Sequence, residues 1–433
     1  MSINRREFMK LLAAAGTAAG SASLAGCAGQ VQQPAKPIGR VIVIGGGYGG
    51  ATAAKYIRMW SGGRIEVFLI ERNTEFISCP FSNLVLGGNK TIADITRSYA
   101  RLRDHGVQVI RDEVTAIDLQ KKQVRLRRIE DLPYDRLVVS PGIDFMHQNI
   151  QGYDAEAQKT ILHSWKAGAE TIALRKQLED MRDGGVYVLS VPLAPYRCPP
   201  GPYERACQVA FYFKNAKPKS KVLILDANPD VTSKGPLFKA AWNNLYKGII
   251  EYRGNAAVTR VDAKAKTVST DFDTIKGDVL NVVPPQRAGD IARSAGLITS
   301  NNRWCDIDWR SMQSKVNPDV HILGDATLSA PLMPKSGHMA NQHAKICADA
   351  VVALMTGRAV NDDPLIANTC YSWVSNREVI HVASVHKYDN DKKTLVTVPG
   401  SGGVSAAATA AANVKEGAFA ESWAENIWND MLA

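Results

Sequence analysis

Two stretches of the chain combine residue types and spacing that chemistry can use. In the first, "GRVIVIGGGYGGATAAKYI", an apolar run from Arg40 to Ile44 leads into Gly45, Gly47 and Gly50, and then into a helical segment carrying Ala51, Ala53 and Ala54. A second apolar run, Ile65 to Ile70, ends in Glu71, and Glu71 lies twenty-one residues past Gly50. Glycines for a tight turn, a helix start facing anionic oxygens and a carboxylate for a ribose hydroxyl together predict a dinucleotide site. In the second, "YRCPPGPYERAC" (196 to 207) sets a cysteine among prolines between the apolar run Val186 to Val191 and a helical one, Tyr203 to Lys214. An α/β unit that binds a second nucleotide would carry another glycine loop at this junction. Pro192, Pro195, Pro199, Pro200 and Pro202 instead hold the backbone extended and remove amide donors, so no NAD(P)H site is expected here. The loop offers a thiol, Cys198, just ahead of a helix whose first turn holds Gly201-Pro202-Tyr203. A helix N-terminus lowers a thiol's pKa, so Cys198 is expected to ionise readily. Glu204, six residues on, has two readings, a proton carrier for sulfur species or an exposed first-turn charge.

The elements that must position these residues follow from periodicity. The segment "YDRLVVSPGI" (134 to 143) reads as a strand ending in a turn, as the strand closing the dinucleotide domain of two-dinucleotide flavoproteins commonly ends. Far downstream, "VHILGDAT" (320 to 327) is a strand leading into Gly324-Asp325, where the acid of such proteins binds the flavin's ribityl chain. Three separated matches point to FAD as the dinucleotide. Between them lies a second α/β unit: a helical stretch at 170 to 185, the Val186 to Val191 strand, the Tyr203 to Lys214 helix, and the strand "KVLILDAN" (221 to 228) containing Asp226. From about Asp362 the pattern changes again, with short apolar runs, a Gly/Ser/Ala stretch from Gly400 to Ala412, and a last segment in which Phe419, Trp423, Ile427 and Met431 recur every four residues. That spacing predicts one helical face, read first as core packing and second as a partner surface.

The 433 residues, 45% of them hydrophobic, suffice for two or three domains with cores of their own. The formal charge of +10 is spread along the chain without zinc-finger spacing or an aromatic RNA-binding motif, which argues against nucleic acid and for an acidic protein or a small anion as partner. Asn4-Arg5-Arg6-Glu7-Phe8-Met9-Lys10, followed by the mildly apolar Leu11 to Gly26, resembles a twin-arginine export signal. Leu24-Ala25-Gly26-Cys27 also looks like a lipobox, so membrane contact is expected only if Cys27 is lipidated. Removing residues 1 to 26 takes away three basic residues and one acidic, leaving +8 on a product expected in the periplasm. No later run reaches the ~18 apolar residues of a spanning helix. Six cysteines remain after Cys27, and their pairing is open at this point. There is no Cys-x-x-Cys-His, so any haem must be held by another chain, and the eight histidines show no metal spacing.

With these parts in view, the chain resembles the flavoprotein subunit of flavocytochrome c sulfide dehydrogenases, relatives of sulfide:quinone oxidoreductases. The blocks that carry the resemblance are "SCPFSNLVLGG" (78 to 88), "YRCPPGPYERA" (196 to 206), "VPPQRAG" (283 to 289), "MPKSGHMAN" (333 to 341) and "NTCYS" (368 to 372), and it runs over nearly the whole chain after the leader. It implies an α/β fold of two Rossmann-like, glutathione-reductase-like domains plus a smaller C-terminal domain. The expected boundaries are a leader at 1–26, a linker at 27–38, an FAD domain at 39–150 and 271–360, a second Rossmann-like domain at 151–270 and an interface domain at 361–433.

It implies that Cys79 carries FAD through a thioether, and that Cys198 and Cys370 form a redox-active disulfide over the flavin. The first is reachable: eight extended residues from Glu71 cover roughly 26 Å at ~3.3 Å each. Sulfide is the implied substrate, sulfur or polysulfide the product, and a c-type cytochrome subunit the acceptor. A quinone-reducing enzyme at the membrane surface and a non-catalytic electron-transfer partner are the alternatives. Lys335, ahead of a helical run, is expected near the flavin's pyrimidine edge. Cys207 and Cys347 read as small buried residues, and Cys305 has no assigned role.

Overall fold

The computed structural model describes residues 37–406 and 410–433; the export signal, Cys27 and nearly all of the linker lie outside the described residues. The glycine-loop unit is built on a five-stranded parallel sheet. Its strands lie in the order Val320–Ile322, Arg136–Val139, Gly39–Ile44, Ile65–Glu71 and Gln108–Arg111. Val41, Ile42 and Val43 are fully buried, as a strand covered on both faces requires, and each such side chain contributes about 1.5–3 kcal/mol. The Tyr48–Trp60 helix and the long Gly337–Thr356 helix pack on each other over this sheet. Ser336 starts the latter, its Oγ accepting from Met339 N at 3.0 Å.

The central domain repeats the plan with a four-stranded parallel sheet, ordered Ile250–Arg253, Lys221–Asp226, Val186–Val191 and Val279–Val282. The helix expected over 203–214 runs from Gly201 to Ala216, and the one read at 170–185 from Ala169 to Asp180. One boundary moves. Val279–Val282 pairs with Val186–Val191, so the chain returns to the first domain after residue 282 rather than at 271. The return runs through a two-stranded antiparallel ribbon, Ile143–Phe145 with Gln286–Ala288.

The C-terminal domain is an antiparallel sheet, Leu365–Trp373 with Val379–Asp389 and Thr394–Thr397, followed by the helix Ala410–Leu432. The four-residue spacing expected to mark one buried face holds only in part. Ile427 and Met431 are buried, Trp423 is half-buried and Phe419 is 49% exposed. At 3.6 residues per turn, a step of four advances the face by about 40°, so a stripe so spaced drifts off the core. Ala420, Ala424 and Trp428 complete the buried face.

Candidate active site

A cavity of about 1030 Å³ runs from the glycine loop to the C-terminal sheet and draws its walls from all three domains. At one end the first strand stops at Ile44 and Gly45 turns with φ 93°, a conformation that favours glycine. A β-carbon on Gly50 would lie 1.8 Å from the carbonyl oxygen of Gly45, which fixes the closeness of turn and helix. Gly47 has open space where its β-carbon would be and lines the cavity. Glu71 stands at the end of the neighbouring strand, one carboxylate oxygen accepting from Gly46 N at 2.7 Å and the other from Asn73 N at 2.8 Å. The glycine turn, the helix start and the strand-end acid thus lie together at one end of the cavity, an arrangement that suits an adenosine diphosphate half.

Further along, Asp325 faces the same cavity, and its Oδ1 is buried without a hydrogen-bond partner. Burial raises its pKa, against the pull of Arg197 and then Lys335. Arg197, which sequence reasoning passed over, lines the cavity with Nη2 also buried and unpartnered, within the electrostatic reach of Cys79, Asp325 and Cys198. An orphaned carboxylate oxygen and an orphaned guanidinium nitrogen in one cavity fit a ligand that carries both hydroxyl donors and anionic or carbonyl acceptors. The residues present therefore fit FAD.

Lys335 takes a different place from the one expected. Its Nζ turns away from the cavity to the carbonyls of Asp325 (3.1 Å) and Thr327, and stacks 3.7 Å from the Trp304 ring centroid. Burial draws its pKa down to about 7. The lysine thus satisfies two carbonyls of the Gly-Asp turn; the start of the helix after it, Ser336 to His338, is what reaches the cavity. Cys305 is buried beside this turn, its backbone bridging to Thr327. Cys207 and Cys347 are fully buried.

The three remaining cysteines, from three distant segments, all open onto the cavity. Cys79 Sγ accepts from Ala167 N at 3.4 Å and approaches Trp165 O at 3.9 Å. Cys198 and Cys370 are both free thiols here, close enough that the charge of Cys370 bears on Cys198. Asn368 brackets the Cys370 sulfur, with Nδ2 at 3.4 Å and Oδ1 at 3.6 Å. Cys198 has φ 59°, held there by its N–H to Lys335 O (2.7 Å) and its carbonyl to Gly201 N (2.8 Å).

The expectation of a readily ionised Cys198 is overturned. Burial, then the carboxylate of Glu204, then Cys370 push its thiol well above the ordinary range, and this outweighs Arg197 and Lys234. Glu204 is in the first turn but is not an exposed charge. It is 8% exposed, with Asn83 Nδ2 at 2.7 Å and Trp373 N at 2.8 Å on its two oxygens, and burial raises its pKa. Among the described residues no cluster of His, Cys, Asp or Glu could hold a metal ion, and no helix is long and apolar enough to cross a membrane.

Fold and cavity together define an α/β disulfide-oxidoreductase-type flavoprotein, and residues 39–178 match the family model "Pyridine nucleotide-disulphide oxidoreductase". Two more specific models match the rest: residues 171–284 the central part of the sulfide dehydrogenase [flavocytochrome c] flavoprotein chain, and residues 362–432 the flavocytochrome c sulphide dehydrogenase flavin-binding region. A flavoprotein chain of that name from Chlorobaculum thiosulfatiphilum is 54% identical over 46 residues, 94% of that sequence and 11% of this one. The chain belongs to the flavocytochrome c sulfide dehydrogenase flavoprotein family. It is also similar to the mitochondrial sulfide:quinone oxidoreductase of Mus musculus, 25% identical over 66% of this chain but only 65% of the mouse protein's length. The sulfide:quinone oxidoreductase of Aquifex aeolicus shares the fold, with TM-score 0.72 at 18% identity over 90% of this chain and 92% of that one.

Proposed function

We propose that this protein oxidises sulfide to sulfur or polysulfide through Cys198 and Cys370 and passes the electrons, by way of FAD, to a c-type cytochrome subunit. The observation that supports it is the meeting of Cys79, Cys198 and Cys370 on one cavity with the glycine loop and Asp325. In the oxidised pair, hydrosulfide attacks one sulfur; the S–S bond of the pair breaks, a new S–S bond forms, and the displaced sulfur leaves as a thiolate. Each sulfide taken to the level of elemental sulfur gives up two electrons. FAD, when bound, supplies an acceptor that takes two electrons and releases them singly.

The chain's own residues do the rest. Glu71 and the glycine turn hold the adenosine half, Asp325 the ribityl hydroxyls and Arg197 an anionic or carbonyl group. Cys79 tethers the flavin through a thioether, so that it is not lost after export. Glu204, held towards its neutral form by burial, is placed to give and take the protons of the sulfur species. The twin-arginine leader directs the folded protein to the periplasm, where a lipidated Cys27 would anchor it.

Anaerobic titration with sulfide tests this. Flavin bleaching, then recovery on adding oxidised cytochrome c, is expected. Recovery with a soluble quinone alone would replace the acceptor, in line with the similarity to the mouse enzyme, and no bleaching would leave a non-catalytic electron-transfer partner. Cys198→Ser and Cys370→Ser should each keep flavin and abolish bleaching by sulfide.

A further inference from the structure

Lys234 is a buried cation that no motif singles out. It precedes the helix Gly235–Leu245 with φ 57°, a left-handed conformation unfavourable for a residue with a β-carbon. That turn carries its side chain out of the central domain onto the Cys370 strand of the C-terminal domain. There Nζ donates to Cys370 O at 3.0 Å and to Ser372 Oγ at 2.7 Å. The residue is 7% exposed, and the direct partners of its ammonium are this carbonyl and this hydroxyl rather than a carboxylate. Cys370, Glu204, Cys198 and Glu416, in that order, are the anionic or ionisable groups that bear on it. A buried ammonium without a direct counter-ion is costly, and burial draws Lys234 down to about 8.

The site has a use for that charge. Opening a disulfide with hydrosulfide brings one negative charge into a buried space and leaves it on the displaced sulfur. Glu204 disfavours a thiolate there if ionised, and burial holds it towards the neutral acid. Arg197, the other cation near Cys198, also answers Cys79 and Asp325. We propose that Lys234 is the positioning cation of the cysteine pair: it fixes the backbone at Cys370 and supplies the charge against which a thiolate or persulfide anion of Cys198 and Cys370 forms. This deepens the sulfide-oxidising function proposed above and rests on it for its purpose, but not for its test.

The test is thiol alkylation in the reduced, flavin-loaded protein. Modification of Cys370 and Cys198 by iodoacetamide is followed peptide by peptide from pH 5 to 10 in wild type, Lys234→Met and Lys234→Arg. The methionine variant is expected to shift the alkylation profile to higher pH by about one unit, slowing modification at neutral pH about tenfold, while arginine restores it. A methionine profile superimposed on that of wild type would overturn the proposal. Should Lys234→Met fail to fold, the arginine variant still decides: a folded Lys234→Arg protein whose thiols are alkylated about tenfold more slowly than wild type at neutral pH excludes charge compensation. The assay needs no turnover, so a protein inert to sulfide would sink the proposed function while Lys234 is still read.

Discussion

The glycine-loop unit and the central unit run through the same strand, loop, helix and strand, yet they treat the loop in opposite ways. In the first, three residues, 45–47, join strand to helix, and the acid at the end of the second strand faces the cavity. In the second, nine residues, 192–200, make the same connection. Four of the nine are prolines without an N–H, and three amides are engaged within the protein: Ala194 N by Asn228 Oδ1, Arg197 N by Gln286 Oε1 and Cys198 N by Lys335 O. The corresponding acid, Asp226, is fully buried and takes Tyr203 OH at 2.7 Å, Tyr252 OH at 3.1 Å and Asn228 Nδ2 at 2.7 Å. A nucleotide would meet four prolines, three engaged amides and a carboxylate buried away from the cavity there. The fold has kept the scaffold of a second nucleotide site and spent its loop on presenting a thiol, which NADH should fail to reduce.

The sharpest way to break this contrast is one methyl group at each helix start. Gly50→Ala drives a β-carbon into backbone at 1.8 Å and is expected to abolish flavin binding, seen as loss of flavin absorbance in the purified protein. Gly201→Ala meets the Cys198 sulfur at 2.9 Å instead; it should keep flavin while slowing sulfide-dependent bleaching on the order of a hundredfold by displacing the thiol. Equal flavin loss in both would erase the distinction. Next in size is Glu71→Gln in a Cys79→Ser background, where flavin is free to leave. Losing a charge-assisted bond worth about 1.5–3 kcal/mol should weaken flavin binding roughly 10- to 100-fold in equilibrium dialysis.

The central unit should answer differently. Asp226→Asn is expected to cost about 1–3 kcal/mol in denaturant unfolding, with flavin retained and NADH still unable to bleach it. NADH-dependent bleaching in that variant or in wild type would show the second site to be open after all. Smallest is Tyr252→Phe, which removes one of the several donors to Asp226 and should cost about 1 kcal/mol by the same measurement.

Lys335 and Lys234 show where sequence reading stops. Lys335 stands in a recognisable block, and the block is where it was expected, but its ammonium serves two carbonyls and a tryptophan face rather than the cavity. Lys234 stands in no block at all and reaches the Cys370 strand from another domain. The readings that depended on neighbours along the chain fared better. The strand at Gly39–Ile44, the glycine turn and the Val186–Val191 strand all lie where periodicity put them.

By itself the sequence determined which segments turn, which extend and which cannot cradle a phosphate, because backbone sterics act within a few residues: glycine permits φ 93° at position 45, and proline removes donors wherever it stands. Only the tertiary structure decided the ionisation of Cys198, the burial of Glu204 and the company of Cys370. Charge and desolvation act through space, and the groups that set them, Asn83, Lys234 and the Trp373 amide, arrive from segments far apart in the chain.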